Sequence, residues 1–264
     1  MTRLIPSLVV LSAAAALAQG SPPADLPPCP SDADTPDVAA LMKRTERLLE
    51  GSSSVAVMTM SITTPQWERS LKMKIWSKGR DYALVRILQG GPRETGMMTL
   101  KREKQLWNYL PQAGRVMKLP SGMMGDSWMG SDFTNDDLVR GNSMANDFTS
   151  KVERTVEHEG RQAWFVTLTP KPGAAVVWGR VELLLDRKTC VPLSQRFFDE
   201  EGALARTMSF SDLKPLGWRT YPMKLSVEPA EKGRRTTMTY ESLEFDTEIA
   251  DDTFSLRKLQ QGKD

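Results

Sequence analysis

The chain has 264 residues, of which 40% are hydrophobic and 26% are charged, a composition typical of a globular protein rather than a disordered or collagen-like one. Its 35 Lys and Arg against 33 Asp and Glu give a formal charge of +2. The sequence therefore lacks the basic excess of nucleic-acid-binding proteins, and we expect no nucleic-acid partner. One histidine and two cysteines are too few ligands for a Cys/His zinc site or for a metal site with two or three histidines. We expect neither a metal nor a cofactor.

The first 18 residues have the pattern of a secretory signal peptide. Arg3 precedes an apolar run from Leu4 to Leu17, and Ala16-Leu17-Ala18 provides an A-x-A cleavage site. The run is too short to cross a membrane comfortably, because a spanning helix needs about 20 apolar residues. We expect cleavage after Ala18 and export to a bacterial periplasm.

Residues 19–35 are rich in proline and predict an extended linker, which leaves residues 36–260 as one domain. The order Thr35-Pro36-Asp37 predicts the start of a helix with Thr35 as its N-cap. An apolar stripe continues to Leu49, and Gly51 then ends the helix.

The two cysteines can form a single intramolecular pair. The periplasm permits disulfides, so Cys29 and Cys190 could tie the N-terminal linker to the second half of the domain. Their spacing alone does not decide between a disulfide and two free thiols.

From Ser54 onward, hydrophobic residues alternate with polar ones. More than ten short strands follow, separated by turn signals such as Glu159-Gly160 and Lys232-Gly233. Strands at this spacing favour one strongly curved antiparallel sheet or a barrel.

One long loop, residues 120–148, interrupts the strands, and we call it the lid segment. Loops of this length inside a compact domain are usually functional lids or disordered. Its apolar content argues against disorder, and Thr134 followed by Asn135 to Val139 predicts a short capped helix within it. The residues expected to close a cavity from this segment are Met123, Met124, Trp128, Met129, Phe133 and Leu138.

The chain offers no convincing catalytic set, so we expect a protein that is not an enzyme. His158 lies at a charged strand-to-turn junction, and no nucleophile elbow, phosphate-binding loop or HExxH motif occurs. The paired carboxylates Asp136-Asp137 and Asp251-Asp252 stand at helix starts or turns, where acids cap helices or are solvated.

Fifteen methionines are the unusual feature of the composition. Methionine is flexible and polarizable, so many methionines on strands beside an apolar lid predict a cavity for a chain-like apolar ligand. For any single methionine the alternative is ordinary filling of the core. Because the sequence does not fix the strand register, about half of the predicted lining could face outward. This lining comprises Met58, Met60, Met73, Ile75, Leu84, Met98, Leu100, Trp107, Tyr109 and Met117.

Several segments resemble the bacterial outer-membrane lipoprotein-sorting proteins, the LolA/LolB-like periplasmic carriers. They are Leu106 to Pro111, Arg115 to Pro120, Met123 to Leu138 and Asp251 to Leu256. The resemblance covers roughly residues 38 to 259. It implies a mainly β fold with a few helices: a single incomplete antiparallel β-barrel, or half-barrel, closed by a helical lid around a hydrophobic cavity.

The resemblance also implies a function. It points to a periplasmic carrier or chaperone that binds the acyl chains of lipoproteins or lipids and transports them toward the outer membrane. An inner-membrane transporter and an outer-membrane acceptor are the candidate partners. A basic residue near the lid helps to hold it shut in the sorting carrier of that family. Lys78, Arg80 and Arg86 are the candidates here, and we expect Arg86 to be the lid latch. The alternative is a periplasmic sensor or regulatory module on the same fold that recognises an envelope protein or lipid signal.

Overall fold

The computed structural model describes residues 22–24, 26–33, 35–139 and 143–262, so the predicted signal peptide lies outside the described residues. In these ranges the protein is mainly β, with one antiparallel sheet that does not close and three short α-helices, as the sequence predicts. The helices are α1 (Val38–Leu49), α2 (Asn135–Val139) and α3 (Leu256–Gln261). None of the described helices is long and apolar enough to cross a membrane.

The sheet contains thirteen strands in the described part of the chain. The strands are β1 (Ser53–Thr63), β2 (Glu68–Lys78), β3 (Tyr82–Gln89), β4 (Met98–Arg102), β5 (Gln105–Leu110), β6 (Arg115–Lys118), β7 (Phe148–His158), β8 (Arg161–Pro170), β9 (Arg180–Asp186), β10 (Pro192–Phe198), β11 (Leu204–Leu216), β12 (Arg219–Pro229) and β13 (Arg235–Phe245).

Two meanders make up this sheet. Strands β1 to β6 pair in sequence order, and so do β7 to β13. The antiparallel pairing of β1 with β13, from Ser54 opposite Phe245 to Thr63 opposite Arg235, joins the two meanders. Strands β6 and β7 are then the two edges of the sheet, and the lid segment runs from one edge to the other.

The register assigns side chains to two faces, because residues directly opposite each other on paired strands point to the same side. Met58 lies opposite Met73, and this pair belongs to what we call the inner face. Leu84 lies opposite Leu100, and this pair belongs to the outer face. The C-terminal segment covers the outer face here, since Phe254 packs in the same buried cluster as Leu84 and Leu100. Both faces of this half of the sheet are therefore buried.

Helix α1 begins two residues later than the sequence predicts. The Asp37 carboxylate, rather than Thr35, is the N-cap, and its Oδ1 accepts hydrogen bonds from the amides of Ala39 (2.9 Å) and Ala40 (3.2 Å). An ionised cap also interacts favourably with the positive end of the helix dipole, which explains the preference for Asp37. The buried face of the helix then packs against the core of β8 and β9.

A disulfide joins Cys29 to Cys190, with 5.8 Å between their Cα atoms. It fixes the N-terminal segment to the turn between β9 and β10. The neighbouring residues are held as well: Leu26 is only 8% exposed, and the Pro27 carbonyl accepts a hydrogen bond from Nη1 of Arg44 at 2.6 Å. This part of the predicted linker therefore packs against the domain.

We expect the Cys29→Ala/Cys190→Ala variant to unfold more easily than the wild-type protein. The cross-link closes a long loop and restricts the unfolded chain, so its removal costs about 2–4 kcal/mol. Urea denaturation with and without a thiol reductant measures this difference. Reductant should destabilise the wild type and leave the variant unchanged. Equal stability of the wild type and the variant without reductant would contradict the prediction.

Candidate functional site

A cavity of about 420 Å³ lies between the inner face of the sheet, α1 and the lid segment. Its wall is mainly apolar, and polar side chains occur in two groups. One group surrounds Arg206 on β11, and the other surrounds Arg80 at the turn between β2 and β3. A mainly apolar cavity with a few polar groups is the usual form of a small-molecule binding site.

Methionines from three strands line the sheet side of the cavity. Met58, Met208 and Met238 come from β1, β11 and β13, and Ile75 and Val85 complete this wall. They share one face because β1 and β2 alternate with a period of two and the register places Ile75 opposite Val85. Flexible methionine side chains allow such a wall to fit ligands of different shape.

Side chains of the lid segment, among them Trp128, Phe133 and Leu138, line the cavity from the opposite side. Trp128 is only 3% exposed, and its Nε1–H donates a hydrogen bond to Oγ1 of Thr99 at 3.4 Å. The Trp128 amide donates to the Phe133 carbonyl at 2.7 Å, so a tight local turn presents both rings to the interior.

Helix α2 positions Leu138 through a reciprocal cap. The amide of Asp137 donates to Oγ1 of Thr134 at 3.1 Å, and the amide of Thr134 donates to Oδ2 of Asp137 at 2.8 Å. This is the short capped helix that the sequence predicts within the lid segment. It aims Leu138 at the cavity while Asp137 faces Arg206.

Arg206 and Asp137 form a buried, bidentate ion pair between the sheet and the lid segment. Nη1 and Nη2 of Arg206 each donate to one oxygen of Asp137 at 2.7 Å, and only 9% of the Arg206 side chain is exposed. The guanidinium lies 4.8 Å from the ring centroids of both Trp178 and Phe197, which fix its position. Burial alone would raise the pKa of Asp137, but the hydrogen bonds and charge of Arg206 outweigh this effect and hold the pKa below its ordinary value.

Two more arginines hold the lid segment. Nε of Arg234 contacts Oδ1 of Asp132 at 3.0 Å, and Oγ1 of Thr236 donates to the other oxygen of Asp132 at 2.7 Å. Arg69 donates to the carbonyl of Met129. Polar contacts therefore attach the lid segment to the sheet at Met129, Asp132 and Asp137, in addition to the hydrogen bond of Trp128.

Two tyrosines form a hydrogen-bonded pair beside the methionine wall. The Tyr240 hydroxyl lies 3.3 Å from that of Tyr221, and Tyr240 lines the cavity. Burial raises the pKa of both phenols, so both remain neutral near pH 7.

Arg80 marks the other end of the cavity. It forms ion pairs with Glu46 (3.4 Å) and Glu50 (2.8 Å) on α1. Arg80 also lines a second cavity of about 870 Å³ with a more polar wall, which includes Lys104 and Lys118. The apolar cavity therefore adjoins a more polar second cavity at Arg80.

The structure divides the ten predicted lining residues between the two faces of the sheet. Met58 and Ile75 line the cavity, while Met60 and Met73 lie on the same inner face and pack in the cluster that contains Trp128. Met117 also belongs to the inner face by register, but it is 45% exposed at the edge strand β6.

The other five predicted lining residues do not reach the cavity. Their side chains lie on the outer face, in or against the cluster formed with Phe254 and Leu259 of the C-terminal segment. The reason is the register, which places Val85 and Thr99 on the inner face and their immediate neighbours on the outer one. The five residues are Leu84, Met98, Leu100, Trp107 and Tyr109.

The six predicted lid residues also lie in different surroundings. Trp128, Phe133 and Leu138 line the cavity, and Met129 packs against the cluster around Trp128. Met124 lines the more polar second cavity, and Met123 is exposed to solvent.

The arginine predicted as the lid latch lies elsewhere. Arg86 is opposite Met98 in the register and therefore belongs to the outer face of the sheet. Of the other two candidates, Lys78 pairs with Asp251 of the C-terminal segment and Arg80 pairs with α1. Among the described contacts, Arg206 forms an ion pair from the sheet to Asp137 of α2.

Sequence reasoning missed the contribution of the second meander. Arg206, Trp178, Phe197 and Met208 line the cavity, but they lie on or beside strands without a strong apolar pattern. The one signal available was the acidic character of the lid segment at Asp132 and Asp137, since buried acids require basic partners. The described residues contain no group of three or more His, Cys, Asp or Glu side chains that could hold a metal ion.

Comparison with known proteins shows which family model and which solved structures this chain matches. A family model described as "Uncharacterized protein" matches residues 79–261. The chain belongs to this family. No curated protein matches the sequence.

Three solved structures share the fold of this family member. A DUF1329 family protein from Desulfovibrio piger is 20% identical with a TM-score of 0.75, and the match covers 84% of this chain and 97% of that chain. A protein described as an outer membrane lipoprotein-sorting protein domain from Vibrio parahaemolyticus is 21% identical with a TM-score of 0.73, covering 84% and 97%. A LolA superfamily protein from Nitrosomonas europaea is 18% identical with a TM-score of 0.68, covering 83% and 98%. The predicted resemblance is thereby confirmed for the fold, an open LolA-like barrel.

We expect the Asp137→Asn variant to loosen the lid segment. The substitution keeps the size of the side chain but leaves the Arg206 charge buried without its counterion, which costs about 3–5 kcal/mol for a fully buried pair. Because Asp137 is 22% exposed, we expect a smaller loss. Amide hydrogen exchange should become faster in the lid segment and stay unchanged in β8 and β9. Asp126→Asn, which removes an exposed carboxylate of the same segment, is the control and should have no effect.

The same ion pair should weaken in acid. The pKa of Asp137 is lowered in the closed protein, so its stabilisation is complete above the ordinary carboxyl pKa of about 4 and is lost as the pH falls through the lowered value. The ¹⁹F NMR signal of 5-fluorotryptophan at position 128, assigned with Trp128→Phe, should therefore shift at acid pH. Asp137→Asn should remove this transition; its persistence in that variant would assign it to another group.

Proposed function

We propose that the protein is a periplasmic carrier that binds the acyl chain of a lipoprotein or lipid in its cavity and transports it toward the outer membrane without covalent chemistry. The observation that carries the proposal is the cavity itself, which is mainly apolar and is closed by a lid segment attached through ion pairs. The predicted signal peptide and the fold shared with the Vibrio and Nitrosomonas proteins support a periplasmic location.

The energetics suit such a task. Exposing an acyl chain to water costs about 0.8 kcal/mol per methylene group, so an ordinary chain cannot travel through the periplasm unprotected. The strands fix the cavity walls, while polar attachments can be broken and remade without loss of the fold. Opening of the lid segment would then supply the release step.

Protein purified from the periplasm after export with its own leader provides the direct test. We expect native mass spectrometry and solvent extraction to detect a bound lipid, and delipidated protein to take up a fluorescent fatty acid. Protein that carries no lipid and takes up no fatty acid would refute the carrier function.

A cavity-filling substitution makes the test specific to the site. We expect Met208→Trp to reduce fatty-acid binding about tenfold or more, which corresponds to about 1.4 kcal/mol, because the indole occupies space that the chain needs. Met117→Trp makes the same change at an exposed position and should bind as the wild type does. Equal binding by both variants would place the lipid outside this cavity.

An edge of the sheet favours the second candidate, a periplasmic sensor that recognises an envelope protein. In the described part of the chain β7 pairs only with β8, so its other side could accept an added strand from a partner. A pull-down from periplasmic extract separates the two functions, because a sensor should retain its partner protein after delipidation whereas a carrier should not.

A further inference from the structure

Arg206 has more hydrogen-bonding capacity than Asp137 uses. Both terminal nitrogens of the guanidinium donate to the Asp137 carboxylate, but Nε is buried without a hydrogen-bond partner among the described residues. A buried donor that lacks a partner is unfavourable, and this one belongs to a side chain in the cavity wall. Because Arg206 lines the cavity, a ligand that enters the cavity meets a guanidinium whose hydrogen-bonding capacity is not fully used.

The present partner of Arg206 shows which ligand chemistry fits. A planar carboxylate is held by two parallel N–H···O bonds, the geometry in which arginine recognises carboxylates most strongly. This carboxylate belongs to α2 of the lid segment, so it leaves the site when the segment opens. An incoming carboxylate could take its place, and the exchange would avoid leaving the buried guanidinium without a counterion.

The size of the cavity limits the rest of the ligand. The cavity volume of about 420 Å³ lies in the lower part of the range for sites that hold one small ligand. We therefore expect one acyl chain. Met58, Met208 and Met238 give that chain a flexible wall.

We propose that the cavity binds a single-chain amphiphile with a carboxylate head, that Arg206 binds this carboxylate, and that Asp137 occupies the same position in the closed protein as an internal substitute for the ligand. The inference rests on the proposed carrier function and narrows its cargo to a fatty acid or a similar single-chain acid. The carboxylate of the cargo then replaces the carboxylate of Asp137 at the Arg206 guanidinium, so cargo binding and release of α2 occur together.

Matched ligands test the charge of the head group. Hexadecanoate and hexadecan-1-ol are titrated at pH 8, each in competition with a neutral fluorescent probe, and the ratio of their affinities is the readout. We expect the wild type to prefer the acid about tenfold. In Asp137→Asn the preference should increase, because the internal competitor no longer carries a charge, and in Arg206→Met it should fall to about one.

The control variant is Arg234→Met. Arg234 also attaches the lid segment, through Asp132, but it does not line the cavity. A looser lid changes the affinity for both ligands together, so Arg234→Met should keep the wild-type ratio. A ratio that changes equally in Arg206→Met and Arg234→Met would overturn the proposal.

A second measurement does not depend on the folding of the Arg206 variant. Hexadecanoate should speed amide exchange in α2 of the wild type, because Asp137 is displaced, whereas hexadecan-1-ol should not. If the wild type and Asp137→Asn each bound hexadecanoate and hexadecan-1-ol equally well, the carboxylate site would be refuted. The carrier function would then still stand. Binding of neither ligand, together with the absence of extracted lipid, would instead refute the carrier function.

Discussion

The pairing of β1 with β13 is the constraint on which the rest of the structure depends. It joins two meanders of six and seven strands into one sheet and so makes β6 and β7, which are separated only by the lid segment, the two free edges. The topology places the two ends of the lid segment at opposite edges of the sheet. Described residues of the segment lie over the inner face, where Trp128, Phe133 and Leu138 line the cavity.

The attachment of the lid segment is polar although the interior is apolar, and this combination has a physical basis. A lid held only by apolar contacts with the methionines would be stabilised in proportion to its buried apolar area. That area would have to be exposed to water each time the lid opened. The net free energy of a buried ion pair such as Arg206–Asp137 is small, because the attraction between the charges is offset by the desolvation of both. Such contacts can specify one closed arrangement without making it permanent.

Much of the fold followed from local patterns, whereas the site did so only in part. Alternation along β1 correctly predicts a strand with Met58 on the same side as Met60, because one face of β1 is more buried than the other. In β3, Leu84 and Val85 are both buried, since the C-terminal segment covers the outer face, so alternation cannot indicate which side faces the cavity. Arg206 could not be assigned because its partner is 69 residues away and the contact exists only after the two meanders have joined.

Helix α1 gives the disulfide a role that extends beyond the N-terminal segment. Glu46 and Leu49 of this helix form part of the cavity wall. The helix is held at Thr45, whose hydroxyl donates to the Cys190 carbonyl at 3.1 Å, next to the cross-link. In a reducing compartment this wall would be anchored by hydrogen bonds and packing alone. Reduction of the Cys29–Cys190 bond would therefore loosen the side of the cavity that α1 forms.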